Sequence, residues 1–434
     1  MKKSLSMKRT VICSIALGFV SVAAMAQSGT NSPYSQYGIG ILSDQSQGFN
    51  RGMNGLALGL RYGNQVNSLN PASYSAIDSL SMIFDVGLSG QITNFKEGNI
   101  SRNAKNADFE YAVAAFRAFP KVGISVGLIP YTNIGYNYAN SSRVGTSETT
   151  TTETHSGSGG IHQAYIGVGW NVFGGLSVGA NFSYLWGSYD KTVSISSSDS
   201  YVNTMQRTYS ASVSNYKLDF GLQWQQKVAK ADWLTLGATV GIGHKLNADP
   251  QVTTTTSNSQ TGVSSDSTFT VGNGLAVPMT YGVGLAWTHS DRLTIGVDYT
   301  LQQWGSVDIP ETDAATGDYV LRSGLLKDRH KFTLGGEWVP NRTSLRFFDR
   351  VRYRIGASYA TPYIKINGMD GPKEYSVSAG FGIPITNSWE NRSFLNISGQ
   401  WVRSESKAFV TENMFRINIG ITFNERWFMK WKVE

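Results

Sequence analysis

His162, His244 and His330 are the residues best placed to do chemistry, because each falls in an alternating segment that would turn it outward near a rim. A phospholipase on a membrane wall needs a serine nucleophile beside such a base, and a polar group to orient the base. The residues two positions on are Ala164, Leu246 and Phe332, so none of these histidines brings its own serine. There is no HExxH and no Asp-rich metal loop, and no cofactor is implied. The triplets Gly167-Val168-Gly169, Gly241-Ile242-Gly243, Gly282-Val283-Gly284 and Gly380-Phe381-Gly382 do not continue into a dinucleotide fingerprint with a following helix. They read as sites of curvature and closure, or as room left for something inside. No catalytic role is expected of the chain. The charges that remain, Asp219, Asp298, Arg354 and Arg416, each stand on the polar face of an alternating segment. An unpaired buried charge is costly, so they are expected to pair with one another or with Arg51 and Arg61 upstream.

The elements that carry these residues are strands. In 80–92, Leu80, Met82, Phe84, Val86, Leu88 and Ile92 share one face, and Ser81, Asp85, Gly87, Ser89 and Gln91 the other. Residues 216–225, 292–301 and 415–424 repeat the pattern, each with period two over about ten residues. That length is what a tilted membrane strand needs. Aromatics such as Tyr281, Trp287, Trp186 and Trp224 end the apolar rows in the manner of interfacial girdles. Charge is confined to the opposite face, which a wet barrel lumen tolerates and a sandwich core does not.

Candidate strands fall near 80–93, 108–118, 121–138, 160–171, 175–192, 208–226, 232–247, 275–288, 292–305, 328–339, 350–360, 373–384, 392–404 and 412–424. Fourteen is an even number, as a bacterial barrel requires. Long Ser/Thr/Gly-rich connections are expected near 94–107, 139–159, 193–207, 249–274, 306–327 and 361–372, and they alternate with short turns. The 340–349 connection, PNRTSLRFFD, is the one long turn on the short side. The fold class expected is therefore all-β, a transmembrane antiparallel barrel of about fourteen strands. The irregular but apolar 27–79 segment, with Tyr34, Ile39, Phe49, Met53, Leu56 and Leu58, would fold up inside it as a plug.

Composition agrees with an exported barrel. Charged residues are 15% of the chain, against about 25% for soluble domains. Four of the seven formal positive charges lie in residues 1–26, leaving +3 for the rest, with no basic stripe for nucleic acid. Residues 1–26 read as a signal peptide: Lys2, Lys3, Lys8 and Arg9, an apolar run, and Ala24-Met25-Ala26 as the cleavage site. The single cysteine, Cys13, lies within it. The division expected is 1–26 signal peptide, 27–79 hatch, 80–424 barrel and 425–434 a periplasmic extension, in the cell outer membrane.

With Asn70-Pro71-Ala72 running straight into the first strand, and a proline in the third (KVGISVGLIPYTNIGYNYAN), the chain resembles the FadL-type outer-membrane transporters of long-chain fatty acids and other hydrophobic compounds. In that family an N-terminal hatch with an Asn-Pro-Ala motif fills the lumen, and a kinked third strand opens the wall to the membrane. The resemblance implies a gate at Asn70, Pro71 and Ala72 and a kink at Gly127 and Pro130, with the hatch end lying against the gap. It also implies passive uptake with lateral exit, and as partners the outer-membrane lipid bilayer, a hydrophobic small molecule and the barrel-assembly machinery. SPYSQYGIG, FNRGMNGLALGL and FNERWFMKWKVE resemble the Bacteroidetes branch. A related barrel there shuttles cargo for type IX secretion. A docking role with a periplasmic or secretion-system protein is therefore the alternative.

Overall fold

Period-two alternation produces a closed wall in which every strand pairs antiparallel with the next. A computed structural model describes residues 29–145, 148–313, 317–385, 393–407 and 409–426. The expected signal peptide and residues 427–434 of the expected extension lie outside the described residues. The strands are β1 (Ser81–Glu97), β2 (Ile100–Phe119), β3 (Val122–Arg143), β4 (Thr150–Phe173), β5 (Leu176–Ser197), β6 (Thr204–Lys227) and β7 (Asp232–Gly241). They continue as β8 (Thr280–His289), β9 (Leu293–Gln302), β10 (Arg329–Trp338), β11 (Arg352–Ala360), β12 (Lys373–Ile385), β13 (Ser393–Glu405) and β14 (Thr411–Arg426). β1 pairs with β14 from Ser81–Arg426 to Lys96–Thr411 and closes the barrel. Closure removes the sheet edges that a lipid environment cannot satisfy.

The faces fall where alternation places them. Phe84, Leu88 and Ile92 are exposed on the outer surface while Asp85, Ser89 and Gln91 are buried inside. On β9, Ile295 and Val297 face out and Thr294 and Asp298 face in. At the end carrying the short turns, Trp170, Trp224, Trp233 and Trp338 stay exposed, as an aromatic girdle at the lipid–water boundary does. The turns there are tight. Gly174 and Gly175 have positive φ at both central positions of a two-residue hairpin, the geometry that matches strand twist, and Ser290 and Asp291 do so in the three-residue connection before Leu293.

The expected connections differ at the other end. The 94–107 stretch is strand throughout except for the tight turn between Glu97 and Ile100. β3 to β6 run through most of 139–159 and 193–207. Above a membrane both strand faces are wet, so Ser/Thr-rich strands show no apolar row and read as loops. Residues 251–257 pair with β6 and with 264–270, adding a hairpin to this extended wall. The expected 232–247 strand is interrupted after Gly241, and His244–Leu246 pairs instead with Leu275–Val277.

Residues 29–80 pack against the inner face. The main chain lies so close to the wall that glycines mark its course. A Cβ on Gly420 would lie 3.0 Å from Gly48, on Gly380 3.1 Å from Gly52, and on Gly356 2.3 Å from Met53. The track continues at Gly237 against the Leu58 carbonyl, Gly221 against Pro71, Gly179 against Pro71, and Gly123 against Tyr74. The triplet glycines therefore do more than permit curvature: Gly169 faces Pro71 and Gly284 faces Leu58. A valine at Gly179, whose Cβ would sit 2.4 Å from the Pro71 backbone, should cost about 1–3 kcal/mol by overpacking. Gly90→Val, where nothing lies within 4 Å, should be neutral. Urea titration of the two purified variants checks the contrast.

Candidate functional site

β2 and β3 pair only over their turn-end halves. Their ladder runs from Phe119–Val122 to Ala112–Leu128 and stops there. Beyond it β3 pairs only with β4 among the barrel strands, and Tyr131 bulges between Pro130 and Thr132. The interruption begins two residues before Pro130, which has no backbone N–H to donate. Gly127 lies below the interruption, and its missing side chain is replaced by the Tyr165 ring and Val113, both within 2.7 Å of a built Cβ. It is a packing site rather than a vacancy in the wall.

The start of the N-terminal segment occupies the interruption. Ile41 and Leu42 pair with Asn133 and Thr132 on the free edge of β3, and Ser43 N donates to the Tyr131 carbonyl at 3.0 Å. Ser35 Oγ accepts from Gly135 N at 3.1 Å. On the opposite side Gln91 Nε2 donates to the Gly29 carbonyl at 3.1 Å, and Asn31 reaches the Lys105 carbonyl at 3.5 Å. Residues 29–43 thus bridge two wall edges that do not meet. Behind them lies the largest apolar cluster, including Tyr34, Ile39, Tyr131, Ile134, Ile161 and Leu185.

The following residues are fastened more firmly. Arg51 Nη2 donates to Glu110 Oε2 at 2.8 Å, with both side chains buried. Arg51 also donates to Asn418 Oδ1 at 3.0 Å and to the Ser46 and Asp44 carbonyls. Glu110 is the extra residue where the β1–β2 register shifts between Tyr111–Gly87 and Phe109–Leu88. The bulge lets it reach inward. Next to it, Gly48 N donates to Tyr111 Oη at 2.6 Å, and Tyr111 donates to Asp85 Oδ1 at 2.9 Å. Burial alone would raise the Asp44 carboxyl, but the charges of Arg51 and Lys331 outweigh it and hold the group below the usual carboxylate range. A space of about 310 Å³ remains beside the segment, and its lining includes Asp44, Asp219, Lys217, Asp298, Lys331 and Arg416. Much of this lining is polar and charged.

The residues singled out by sequence are brought only partly together. Asn70 caps the 3-10 turn Pro71–Ala76, its Oδ1 accepting from Ala72 N at 3.2 Å. Its Nδ2 donates to the Leu58 carbonyl at 2.9 Å and to Leu222 on β6 at 3.2 Å. The Asn70-Pro71-Ala72 corner therefore braces the wall at β6 and β5, and it is Ile41–Leu42 that meets the free edge of β3. Among the four lumen charges, Asp298 meets the segment, accepting from Ala57 N at 2.6 Å and Leu58 N at 2.9 Å. The other three find wall partners rather than Arg51 or Arg61. Arg354 pairs with Glu337 at 2.7 Å, Arg416 Nε donates to Gln91 at 3.0 Å, and Asp219 pairs with Lys217. Arg61 reaches Gln223 and the Ala72 carbonyl, and burial lowers its guanidinium to about 10. Glu110 and Glu337 escaped sequence reading; Glu110 lies in the expected 108–118 strand, but the bulge that turns it inward leaves no mark in the alternation. His162 packs at a tilt against Trp186, His244 stacks on Tyr216, and His330 Nδ1 lies 2.9 Å from Tyr299 Oη, so all three settle on aromatics of the wall.

Comparison with known proteins agrees with this architecture. The profile of a family described as BamG matches residues 7–434, so the chain belongs to the BamG family. The toluene transporter TbuX of Ralstonia pickettii is 15% identical, covering 91% of this chain and 100% of its own, with a TM-score of 0.59. The toluene transporter TodX of P. putida is 15% identical over 92% and 100%, also at 0.59. A FadL homologue of Pseudomonas aeruginosa is 12% identical over 87% and 98%, at 0.56. At such identities the likeness is one of fold, that of FadL-type outer-membrane barrels. No curated protein sequence matches the chain. Its place is the cell outer membrane.

Two outcomes test the fastening. Arg51→Met leaves buried Glu110 with only Ser89 and a more distant Arg416, and should cost up to about 3–5 kcal/mol, read as a lower urea midpoint. A carboxyl held low contributes stability that is complete above its unfolded value and is lost as pH falls. Amide-exchange protection of residues 44–51 should therefore stay constant down to about pH 4 and decline below it.

Proposed function

We propose that this member of the BamG family is an outer-membrane channel for passive uptake of small hydrophobic molecules, in the size range up to long-chain fatty acids. Residues 29–80 act as its hatch, and the ligand leaves sideways into the bilayer between β2 and β3. The observation that carries the reading is the interrupted β2–β3 ladder with Ile41–Leu42 paired across its free edge. Displacing residues 29–43 would connect the apolar cluster around Tyr131, Ile134 and Ile161 with the lipid. The polar space of about 310 Å³ suits water and charge rather than an apolar solute, which favours exit through the wall over passage down the lumen. The hydrocarbon transporters that share the fold are consistent with a ligand of this class.

A second reading, a barrel that docks a protein partner, draws on a different observation. β3 to β6 run to 22 or 24 residues, far beyond the 9–11 that span a bilayer, and the hairpin 251–270 extends them as a polar sheet. In that case the hatch need not move.

Leu42 and Thr132 are register partners, so Leu42→Cys with Thr132→Cys can be joined by a disulfide. Oxidation should reduce uptake of labelled toluene or oleate to the level of cells lacking the protein, and reduction should restore it. Uptake that is unchanged by oxidation defeats exit at this edge. Uptake equal with and without the protein leaves the docking reading in its place.

A further inference from the structure

The connection between β10 and β11 differs from the other described turns at its end of the barrel. It carries a short helix, Phe347–Arg350, and three large apolar side chains turned to solvent: Leu345 at 100% exposure, Phe347 at 45% and Phe348 at 73%. Loose loops expose apolar groups by accident, but this one is built. Asn341 N donates to the Asp349 carbonyl at 2.8 Å, Ser344 Oγ to Asp349 Oδ2 at 2.7 Å, and Arg346 N to Ser344 Oγ at 3.1 Å. The loop is also tied to the lipid-facing wall. Tyr353 Oη donates to the Phe348 carbonyl at 3.1 Å, and the Tyr353 ring packs on Trp338, which belongs to the turn-end girdle. The exposed apolar patch therefore continues a surface that already faces lipid. Arg346 is exposed within it, while the loop's one acid, Asp349, is engaged by Ser344.

We propose that residues 342–348 form a membrane-interface anchor that seats in the leaflet at the turn end and takes anionic phospholipid. Leu345, Phe347 and Phe348 enter the acyl boundary, and Arg346 meets the headgroup phosphates. Apolar groups at a headgroup boundary gain by burial, and cations beside them gain from anionic lipid, so this pairing suits lipid chemistry. The wall enters an interfacial belt at this height, which favours lipid over a protein partner as the occupant. The anchor is independent of whether the barrel transports anything.

The test uses the full-length chain reconstituted in vesicles, with Cys13→Ser so that one introduced cysteine carries a nitroxide label. Phe348→Cys is compared with lipid-facing Ile355→Cys and water-facing Ser265→Cys, both exposed positions. The label at 348 should collide with oxygen rather than with an aqueous nickel complex, as the label at 355 does. It should lie deeper in phosphatidylglycerol than in phosphatidylcholine vesicles, and Arg346→Gln should abolish that difference. A label at 348 that behaves like the one at 265 in both lipids overturns the anchor. If such a label becomes shielded on adding a periplasmic extract, a protein occupies the patch instead. Equal depth in the two lipids overturns the preference for anionic lipid, and a difference that survives the arginine replacement overturns the role of Arg346.

Discussion

A fourteen-stranded wall encloses more space than inward side chains can fill. In barrels of about eight strands the side chains nearly meet; at fourteen a column is left over. Here main chain fills part of it. Backbone can lie against backbone only where no Cβ intervenes, so the wall carries glycines along the line that the segment follows. That line passes from Gly420 on β14 through Gly380, Gly356, Gly296 and Gly237 to Gly221, Gly179 and Gly123 on β3. The high glycine content of the chain is thus, in part, the imprint of a second layer of backbone. Each inward strand face must serve two purposes at once, closing the barrel and fitting the segment.

The segment is not held evenly. From Asp44 to Ala76 it is fixed by a buried ion pair, by main-chain donors to Asp298 and by the capped turn at Asn70. From Gly29 to Ser43 it is held differently: by a two-residue strand on the free edge of β3, by Tyr34 and Ile39 packed into the apolar cluster, and by side-chain bonds to β3, β5 and β14. The two modes of attachment, charge on one side and apolar packing on the other, meet at Ser43–Asp44, next to the interrupted ladder.

Strand number and face assignment were legible because lipid on one side and polar lumen on the other impose period two. Phe84 against Asp85 and Val297 against Asp298 show it directly. Strand ends were not legible. Once β3 to β6 leave the membrane both faces meet water, and a stretch such as Thr150-Thr151-Thr152 carries no pattern to separate strand from loop. The irregular segment was legible as apolar, but its path was not. Nothing periodic says that Asn70 braces β6 while Ile41 meets β3. The Arg51–Glu110 pair joins a residue in that segment to one exposed only by a bulge, and a single sequence carries no trace of such a register shift.

The seam between β1 and β14 joins the first wall strand to the last, and it is bonded along its whole length. The segment precedes β1 in the chain and lies within this ring, with Gly29 against the upper part of β1 and Leu80 turning into the wall at the opposite end through a positive φ. The ring is open at both ends, so the segment interrupts none of its ladder bonds. It runs into β1 through Leu80 without a break in the chain, so the filling is leashed to the wall by covalent bonds and stays with the barrel even where its other contacts are released.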